Sequence, residues 1–548
     1  MSTATKTLVS VILRGNKFEL RSRYDASLLS FYRSLPNARF SQLGEFWTCD
    51  ATPSAAAKIC RETPAEVQAE NAVRELAARF IEGVNAPLPR EQPPVRKADL
   101  RRHQVAGYHF AMQRDSALLA HEMGSGKSFT TVAVVNNRNC RAVLILCPVS
   151  VRGVWRREFA KWSAINYEVI VLEKGTVARK IKEAAERTLL AEAHGKPFVV
   201  VTNYESARDK KFVAWAKLRK WDMVIADESH RAKSHDSSTS KQLAEIGKCA
   251  KYRLALTGTP MPHSPLDIFG QFRFLDAGIF GTSFTAFRGE YAITGALGAY
   301  HIVGYRNLEQ LAQRMNLLTH EVKMSDTDIE LPPVSHIRRS CEIEDRKGYD
   351  DLCEEMIAQV DDGTITASNA LVKLLRLQQW TSGVVVDDDG VERMTGTEKR
   401  GLLEDLLEDL PRDRPVVVFC NFIRSLDIVA EVVTKSGRKF GEISGRRKDL
   451  TANSEFPPDI DVLAVQYQAG GVGIDLTRAN YAICYDHTWN MGNNDQAMAR
   501  VHRPGQVHPT FIYHLIVENT IDDVVVRALE RKRDVVEGVL EFLRGGVV

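Results

Sequence analysis

The stretch SALLAHEMGSGKSFTTVAVV, residues 116–135, decides how the chain is read. An apolar run, SALLA, leads into a glycine-containing turn and then into a second apolar run, FTTVAVV. This is the strand–turn–helix context in which backbone N–H groups can surround a phosphate. Gly124 and Gly126 let the backbone approach phosphate oxygens, Lys127 supplies a point charge for the β- and γ-phosphates, and Ser128 offers a hydroxyl to Mg²⁺. The full six-residue spacing of the common phosphate-loop pattern is absent, because His121 stands where its first glycine would be. A turn that merely precedes a helix is the plainer alternative, and the rest of the chain has to decide between them.

On either side of this stretch the chain reads as an ordinary globular protein. Its 548 residues suffice for roughly three or four domains. With 44% hydrophobic and 26% charged residues it can bury large cores, which excludes a mainly disordered chain. A net charge of +3 neither demands nor excludes a nucleic-acid partner, so any such surface must be local. The nine cysteines are odd in number, scattered and never in a Cys-x-x-Cys pair, which argues against a disulfide framework and against zinc. LVSVIL near the N-terminus is too short for a signal-peptide core, and AVLILCPVSV (142–151) is about half a membrane span. The expectation is a reducing, intracellular setting: a bacterial or viral-host cytoplasm, or a nucleus if the source is eukaryotic.

Beyond the loop, AVLILCP (142–148), FVVVTNY (198–204), DMVIADE (222–228) and YRLALTGTP (252–260) are short apolar runs ending in polar or Gly/Pro residues. With helix-like stretches such as VARKIKEAAERTLLAEA (177–193) between them, they read as parallel strands buried on both faces. The pattern stops near residue 265 and resumes at PVVVFCNF (415–422), IDVLAVQ (460–466), YAICYDH (481–487) and FIYHLIV (511–517). Two α/β lobes therefore flank a middle region that includes LVKLLRLQQW (371–380) and reads as mainly helical. The proline-rich stretch NAPLPREQPPVRK (85–97) separates a small N-terminal module from the lobes.

Asp227 and Glu228 end one of these strands, about a hundred residues after the loop. An acidic pair there can hold a Mg²⁺ shell through Asp227 and orient an attacking water through Glu228. Seen alone, such a pair is more often a solvated turn or a helix cap.

Taken together, LRRHQVAGYHF (100–110), the loop, LILCPVSVRGVWRREFAKW (144–162), VTNYE (201–205), DESH (227–230), LTGTP (256–260), VVVFCNF (416–422), AGGVGIDLTRAN (469–480) and QAMARVHRPGQ (496–506) resemble, in order, the motifs of a Swi/Snf-type motor of helicase superfamily two. The resemblance runs from Leu100 to about Asp523. It implies two RecA-like parallel-sheet lobes, at 98–265 and 396–525, with a mainly helical insertion at 266–395 and a C-terminal helix at 526–548. It also implies ATP and Mg²⁺ as cofactors and DNA as partner, with contacts mainly to the backbone. The short apolar runs lead separately to the expectation of no membrane attachment, and a monomer is expected. By this likeness Gln104 belongs to an adenine-recognising segment, and Met123, Gly124, Ser125, Gly126, Lys127 and Ser128 hold the nucleotide. Lys127, Asp227, Glu228, Arg500 and Arg503 are then catalytic, the two arginines reaching from the second lobe. Ser128 and Asp227 face the metal. Thr257, Gly258, Thr259, Gly473, Asp475 and Gln496 couple nucleotide state to lobe position. The basic aromatic stretches VWRREFAKW (154–162) and ARDKKFVAWAKLRKW (207–221) can supply phosphate contacts, and Trp155 and Asn203 are expected DNA contacts. A solvated amphipathic helix is the alternative for each stretch, since Trp155, Phe159 and Trp162 have the spacing of a core-facing stripe. Departures are His121 in place of an acidic residue, Ser125 and Ser128 in place of Leu and Thr, and LLTHEVKMSD (317–326), which lacks the family's double arginine.

Residues 1–62 read as strand, strand, helix, strand, strand, helix, followed by a helix and a proline-rich linker over 63–97. Arg21, Arg23, Tyr24 and Trp47 resemble the HARP-type module with which annealing helicases engage branched DNA, the alternative being a structural cap on the first lobe. The function these likenesses imply is an ATP-dependent translocase that tracks on duplex DNA and remodels or re-anneals branched DNA such as forks. Its rivals are a strand-separating DNA or RNA helicase and an ATP-binding nucleic-acid clamp with little hydrolysis.

Overall fold

The computed structural model describes residues 7–173, 175–295, 302–361, 367–386, 392–451, 454–470 and 474–531. These divide into two compact units, one up to residue 328 and the other from 329. No helix among the described residues is long and apolar enough to cross a membrane.

The first unit opens with a five-stranded sheet in the order Arg39–Ser41, Phe46–Asp50, Lys17–Arg21, Leu8–Arg14, Glu66–Ala69. Alternate residues Val9 and Val11, and Phe18 and Leu20, turn inward. They meet Leu28 and Tyr32 of helix Ala26–Arg33, Ala56 and Ile59 of helix Pro53–Glu62, and Val73 and Ala77 of helix Asn71–Asn85. Asp25 and Thr52 cap the first two helices by accepting from Ser27 N and Ala55 N, as short oxygen-bearing residues do at helix starts. The module thus extends past the boundary drawn at residue 62. Glu66–Ala69 pairs in parallel with Leu8–Arg14, and the helix placed with the linker is part of the module's core. The strand EVQA is too short and too polar to announce itself.

The first lobe is a seven-stranded sheet in the order Thr319–Val322, Ser116–His121, Ala250–Leu256, Trp221–Asp227, Ala142–Cys147, Phe198–Asn203, Glu168–Val171. Every pairing is parallel. Helices stand between successive strands, among them Lys127–Asn137, Arg152–Trp162 and Val177–Ala193. Ser116–His121 and Phe198–Asn203 are buried at every residue, as central strands covered on both faces must be.

The second unit carries a six-stranded parallel sheet, in the order Val334–Cys341, Thr510–Val517, Tyr481–Cys484, Val416–Cys420, Val462–Gln466, Phe440–Ile443. Val416, Val418 and Cys420 enter one core, while Val417 and Phe419 enter the core on the opposite face. The region read as a helical block at 266–395 is shared between the units. Its strand Thr319–Val322 joins the first sheet and Val334–Cys341 joins the second, while helices such as Ile268–Leu275 and Ala367–Thr381 supply the rest. Both strands are sheet edges, and VSHIRRSC is mostly exposed, so neither shows the apolar run that marks a central strand. Of the expected C-terminal helix, residues 526–531 are helical and 532–548 lie outside the described residues.

Candidate nucleotide site

In the first sheet Leu119 is level with Leu256, and Leu256 with Asp227. The glycine loop after His121 and the acidic pair at Asp227 therefore leave the same carboxyl edge, on strands that flank Ala250–Leu256. That edge is where parallel α/β sheets bind ligands.

The loop is held open by its backbone. Gly124 and Gly126 have φ of +89° and +84°, values at which a side chain is strained. A Cβ on Gly126 would lie 2.2 Å from Gln104 Nε2. Gln104 Nε2 donates to the Ser125 carbonyl at 2.9 Å, and His103 Nε2 donates to the same oxygen at 2.8 Å. Gly126 caps helix Lys127–Asn137 without a side-chain hydrogen bond, so the helix offers its first-turn N–H groups and the positive end of its dipole to an anion. Lys127 Nζ donates to the His121 and Glu122 carbonyls, at 2.7 and 3.3 Å.

Asp227 and Glu228 are both buried. Asp227 Oδ2 accepts from the indole Nε1 of Trp155 at 3.0 Å, its Oδ1 accepts from Glu228 N at 3.0 Å, and its carbonyl accepts from Tyr204 Oη. Burial and the neighbouring Glu228 push the Asp227 carboxyl well above the usual carboxylate range, with Trp155 and Lys127 opposing them. Glu228 stands at φ +52°, an uncommon conformation for a non-glycine residue, and its Oε2 is buried without a hydrogen bond. Two adjacent buried carboxylates suit a divalent cation, with the Ser128 hydroxyl at the head of the loop helix. Mg²⁺ fits this donor set of oxygens. Among the described residues there is no His/Cys/Asp/Glu cluster of the kind that holds a metal through protein side chains alone.

Glu228 connects onward. His230 Nδ1 lies 3.4 Å from Glu228 Oε2 and 2.9 Å from Thr257 Oγ1, which in turn accepts from Thr259 N at 3.1 Å. Burial lowers the His230 pKa to about 4, so at neutral pH the contact with Glu228 is not an ion pair. A Cβ on Gly258 would meet Met123 Cγ at 3.2 Å, which sets LTGTP directly against the loop. His230 had no role in the sequence reading.

Two departures from the family pattern meet in space. His121 Nε2 and His320 Nδ1 lie 2.9 Å apart, one donating and the other accepting. A Cβ on Gly107 would fall 2.6 Å from His121 Cε1, so only glycine admits this ring. Burial lowers His121 well below its ordinary range and His320 to about 4. His121 stands at the position where the sequence lacks the family's acidic residue, and its partner His320 lies in the segment that lacks the double arginine.

The two first-lobe residues expected to contact DNA, Trp155 and Asn203, are both buried. Trp155 is 1% exposed and its indole holds Asp227, so it faces the core. Asn203 is 6% exposed, its Oδ1 accepting from Lys180 Nζ and Ser206 Oγ while its Nδ2 donates to Glu205. Arg21 and Arg23 are exposed, as is Tyr24, and the Arg21 guanidinium stacks 4.5 Å from the Phe46 ring centroid. The module also docks on the lobe: Ser54 Oγ and Ser54 N donate to the buried Asp276 at 2.6 and 3.1 Å.

In the second unit Gln496 and Arg500 lie buried on helix Met491–Val501, and the Arg503 Nε is buried without a hydrogen bond. Asp475 folds the turn before strand Tyr481–Cys484 by accepting from Thr477 N and Oγ1. Gln506, which received no role from the sequence, ties this turn to the helix end by donating to the Thr477, Ala479 and Val501 carbonyls. Gly473 lies outside the described residues.

The SNF2-related domain model matches residues 74–382, and the helicase conserved C-terminal domain model matches 398–505. The chain is similar to the DNA repair and recombination protein RDH54 of Saccharomyces cerevisiae, 25% identical over 464 residues that cover 75% of this chain and 50% of that protein. It is also similar to the SWI/SNF-related matrix-associated actin-dependent regulator of chromatin subfamily A-like protein 1 homolog of Caenorhabditis elegans, 28% identical over 452 residues, 79% of this chain and 61% of that one. Among solved structures, the Sulfolobus solfataricus SWI2/SNF2 ATPase core in complex with dsDNA aligns with a TM-score of 0.40 at 22% identity, covering 82% of this chain and 95% of the other. The chain spans about half the length of the first of these relatives.

Proposed function

The chain belongs to the SNF2-related family, and from that premise we propose that it is an ATP-dependent DNA translocase that tracks on duplex DNA and remodels or re-anneals branched structures. The observation that carries this reading is the placement of the Lys127 loop and the buried Asp227–Glu228 pair on one edge of one sheet. The loop N–H groups and Lys127 bind the ATP phosphates. Ser128 and Asp227 would hold Mg²⁺, which when bound neutralises charge on the phosphate oxygens. Glu228, short of a hydrogen bond, orients the attacking water and accepts its proton. Arg500 and Arg503 stabilise the charge that develops on the transferred phosphoryl group. They belong to the second unit, whereas the loop and the acidic pair belong to the first.

Trp155→Phe tests the positioning of Asp227. Loss of the indole donor leaves a buried carboxylate one hydrogen bond short, worth about 1–3 kcal/mol. The expected result in a steady-state assay is a kcat lower by about tenfold at nearly unchanged KM for ATP.

Fork preference is assigned to the N-terminal module through exposed Arg21, Arg23 and Tyr24. Deleting the module would break its buried bonds to Asp276, so the cleaner test is the triple substitution to alanine. This variant is expected to keep turnover on linear duplex and to lose its preference for forked DNA, as read by ATPase titrations with the two substrates. Equal fork preference before and after the substitution would leave the module as a cap on the lobe.

A further inference from the structure

We propose that Glu122 and His502 are positioning residues that clamp the two ends of the connector 323–333, one to the phosphate-binding loop and the other beside Arg500 and Arg503. The connector then carries the state of the loop to the arginines. This rests on the ATP reading above.

The first clamp lies in the first unit. Strand Thr319–Val322 pairs with Ser116–His121 up to Val322 and His121, and one residue further Glu122 N donates to the Val322 carbonyl at 2.8 Å. The Glu122 carboxylate then accepts from Met324 N at 2.7 Å. Met324 begins a short 3-10 turn, and Asp326 accepts from Lys323 N at its head. Glu122 is also a residue whose carbonyl accepts from Lys127 Nζ. A nucleotide that draws Lys127 toward its phosphates takes it from the His121 and Glu122 carbonyls. Loop occupancy and the grip on Met324 therefore meet at one residue.

The second clamp lies in the second unit. His502 Nε2 donates to the Pro332 carbonyl at 2.7 Å, and Thr510 N donates to the Pro333 carbonyl at 2.9 Å. His502 closes helix Met491–Val501, its own N–H bonded to the Met498 carbonyl, and it stands between Arg500 and Arg503 in the chain. Pro332 and Pro333 have fixed φ, and each holds the residue before it extended. A segment of this kind transmits displacement where a glycine-rich one would absorb it. The bond to His502 thus makes the end of the arginine helix follow the connector.

The test uses the full chain. Hydrogen exchange is followed in peptides covering 120–130 and 323–333, with and without Mg²⁺ and a non-hydrolysable ATP analogue. The nucleotide is expected to slow exchange in the loop peptide and to change exchange in the connector peptide by about threefold or more. In Glu122→Ala the loop peptide still responds and the connector no longer does. A wild-type connector that ignores the nucleotide while the loop responds overturns the proposal. A loop that itself does not respond overturns the ATP reading instead.

Turnover supplies the second arm. Glu122→Ala and His502→Ala are each expected to lower DNA-stimulated kcat by about tenfold with KM for ATP within about twofold, and the double variant to fall no further than the weaker single. Glu122→Gln keeps an acceptor and His502→Gln keeps a donor, and both are expected to restore kcat. Effects that multiply in the double variant, or glutamines no better than alanines, would mean two separate packing defects and would refute the tether.

Discussion

Replacing Lys127 with alanine is expected to abolish ATP turnover, with kcat falling by about a thousandfold or more. The loop offers backbone N–H groups and a helix dipole, each carrying only partial charge, and Lys127 is the full positive charge within it. Its ammonium rests on the His121 and Glu122 carbonyls at 2.7 and 3.3 Å, poised at the mouth of helix Lys127–Asn137. The turn keeps its own backbone bonds, Ser125 N to the Glu122 carbonyl and Thr130 N to the Gly126 carbonyl, so the variant should melt within a few degrees of the wild type. Lys127→Arg should fail as well, because a planar guanidinium cannot stand in for a compact ammonium in a loop of this size. Turnover by Lys127→Ala within about tenfold of wild type would remove the loop from the mechanism.

Arg503→Ala is expected to lower turnover by about 10³- to 10⁵-fold while leaving nucleotide affinity nearly intact. The separation of the two effects follows from chain organisation. The nucleotide loop, Gln104 and the acidic pair all belong to the first unit, and Arg503 belongs to the second. Its Nε is buried and unbonded, an arrangement that costs free energy unless an acceptor arrives during the cycle. Arg500 is a poorer probe. It is 7% exposed, and its carbonyl accepts from Leu476 N in the second core, so its loss mixes catalysis with packing. Fluorescent-nucleotide titration beside a steady-state assay separates binding from turnover. A loss of affinity in proportion to the loss of rate would place Arg503 in ground-state binding.

Legibility from the sequence followed burial. Strands such as AVLILC and FVVVTN are covered on both faces, and their unbroken apolar runs state this. The glycine loop and the Asp227–Glu228 pair could be read because each needs particular residue types at particular spacings. Edge strands could not: Thr319–Val322 is four residues long and Val334–Cys341 faces solvent along most of its length. They are made strands by the sheets they join. The same distinction governs side chains. The spacing of Trp155, Phe159 and Trp162 allowed a core stripe or a nucleic-acid face, and only the packing of helix Arg152–Trp162 turns the indole onto Asp227. His121 and His320 are 199 residues apart, and each appeared as an isolated departure until the sheet placed their strands side by side.

The most direct test of the account is steady-state ATP hydrolysis with no nucleic acid, single-stranded DNA, linear duplex, forked DNA and RNA, with Glu228→Gln as the blank. The account predicts hydrolysis well above the blank, stimulated most by duplex or forked DNA. Stimulation by single strands or RNA alone would contradict it in favour of an unwinding helicase, and hydrolysis no greater than the blank would leave a nucleic-acid clamp.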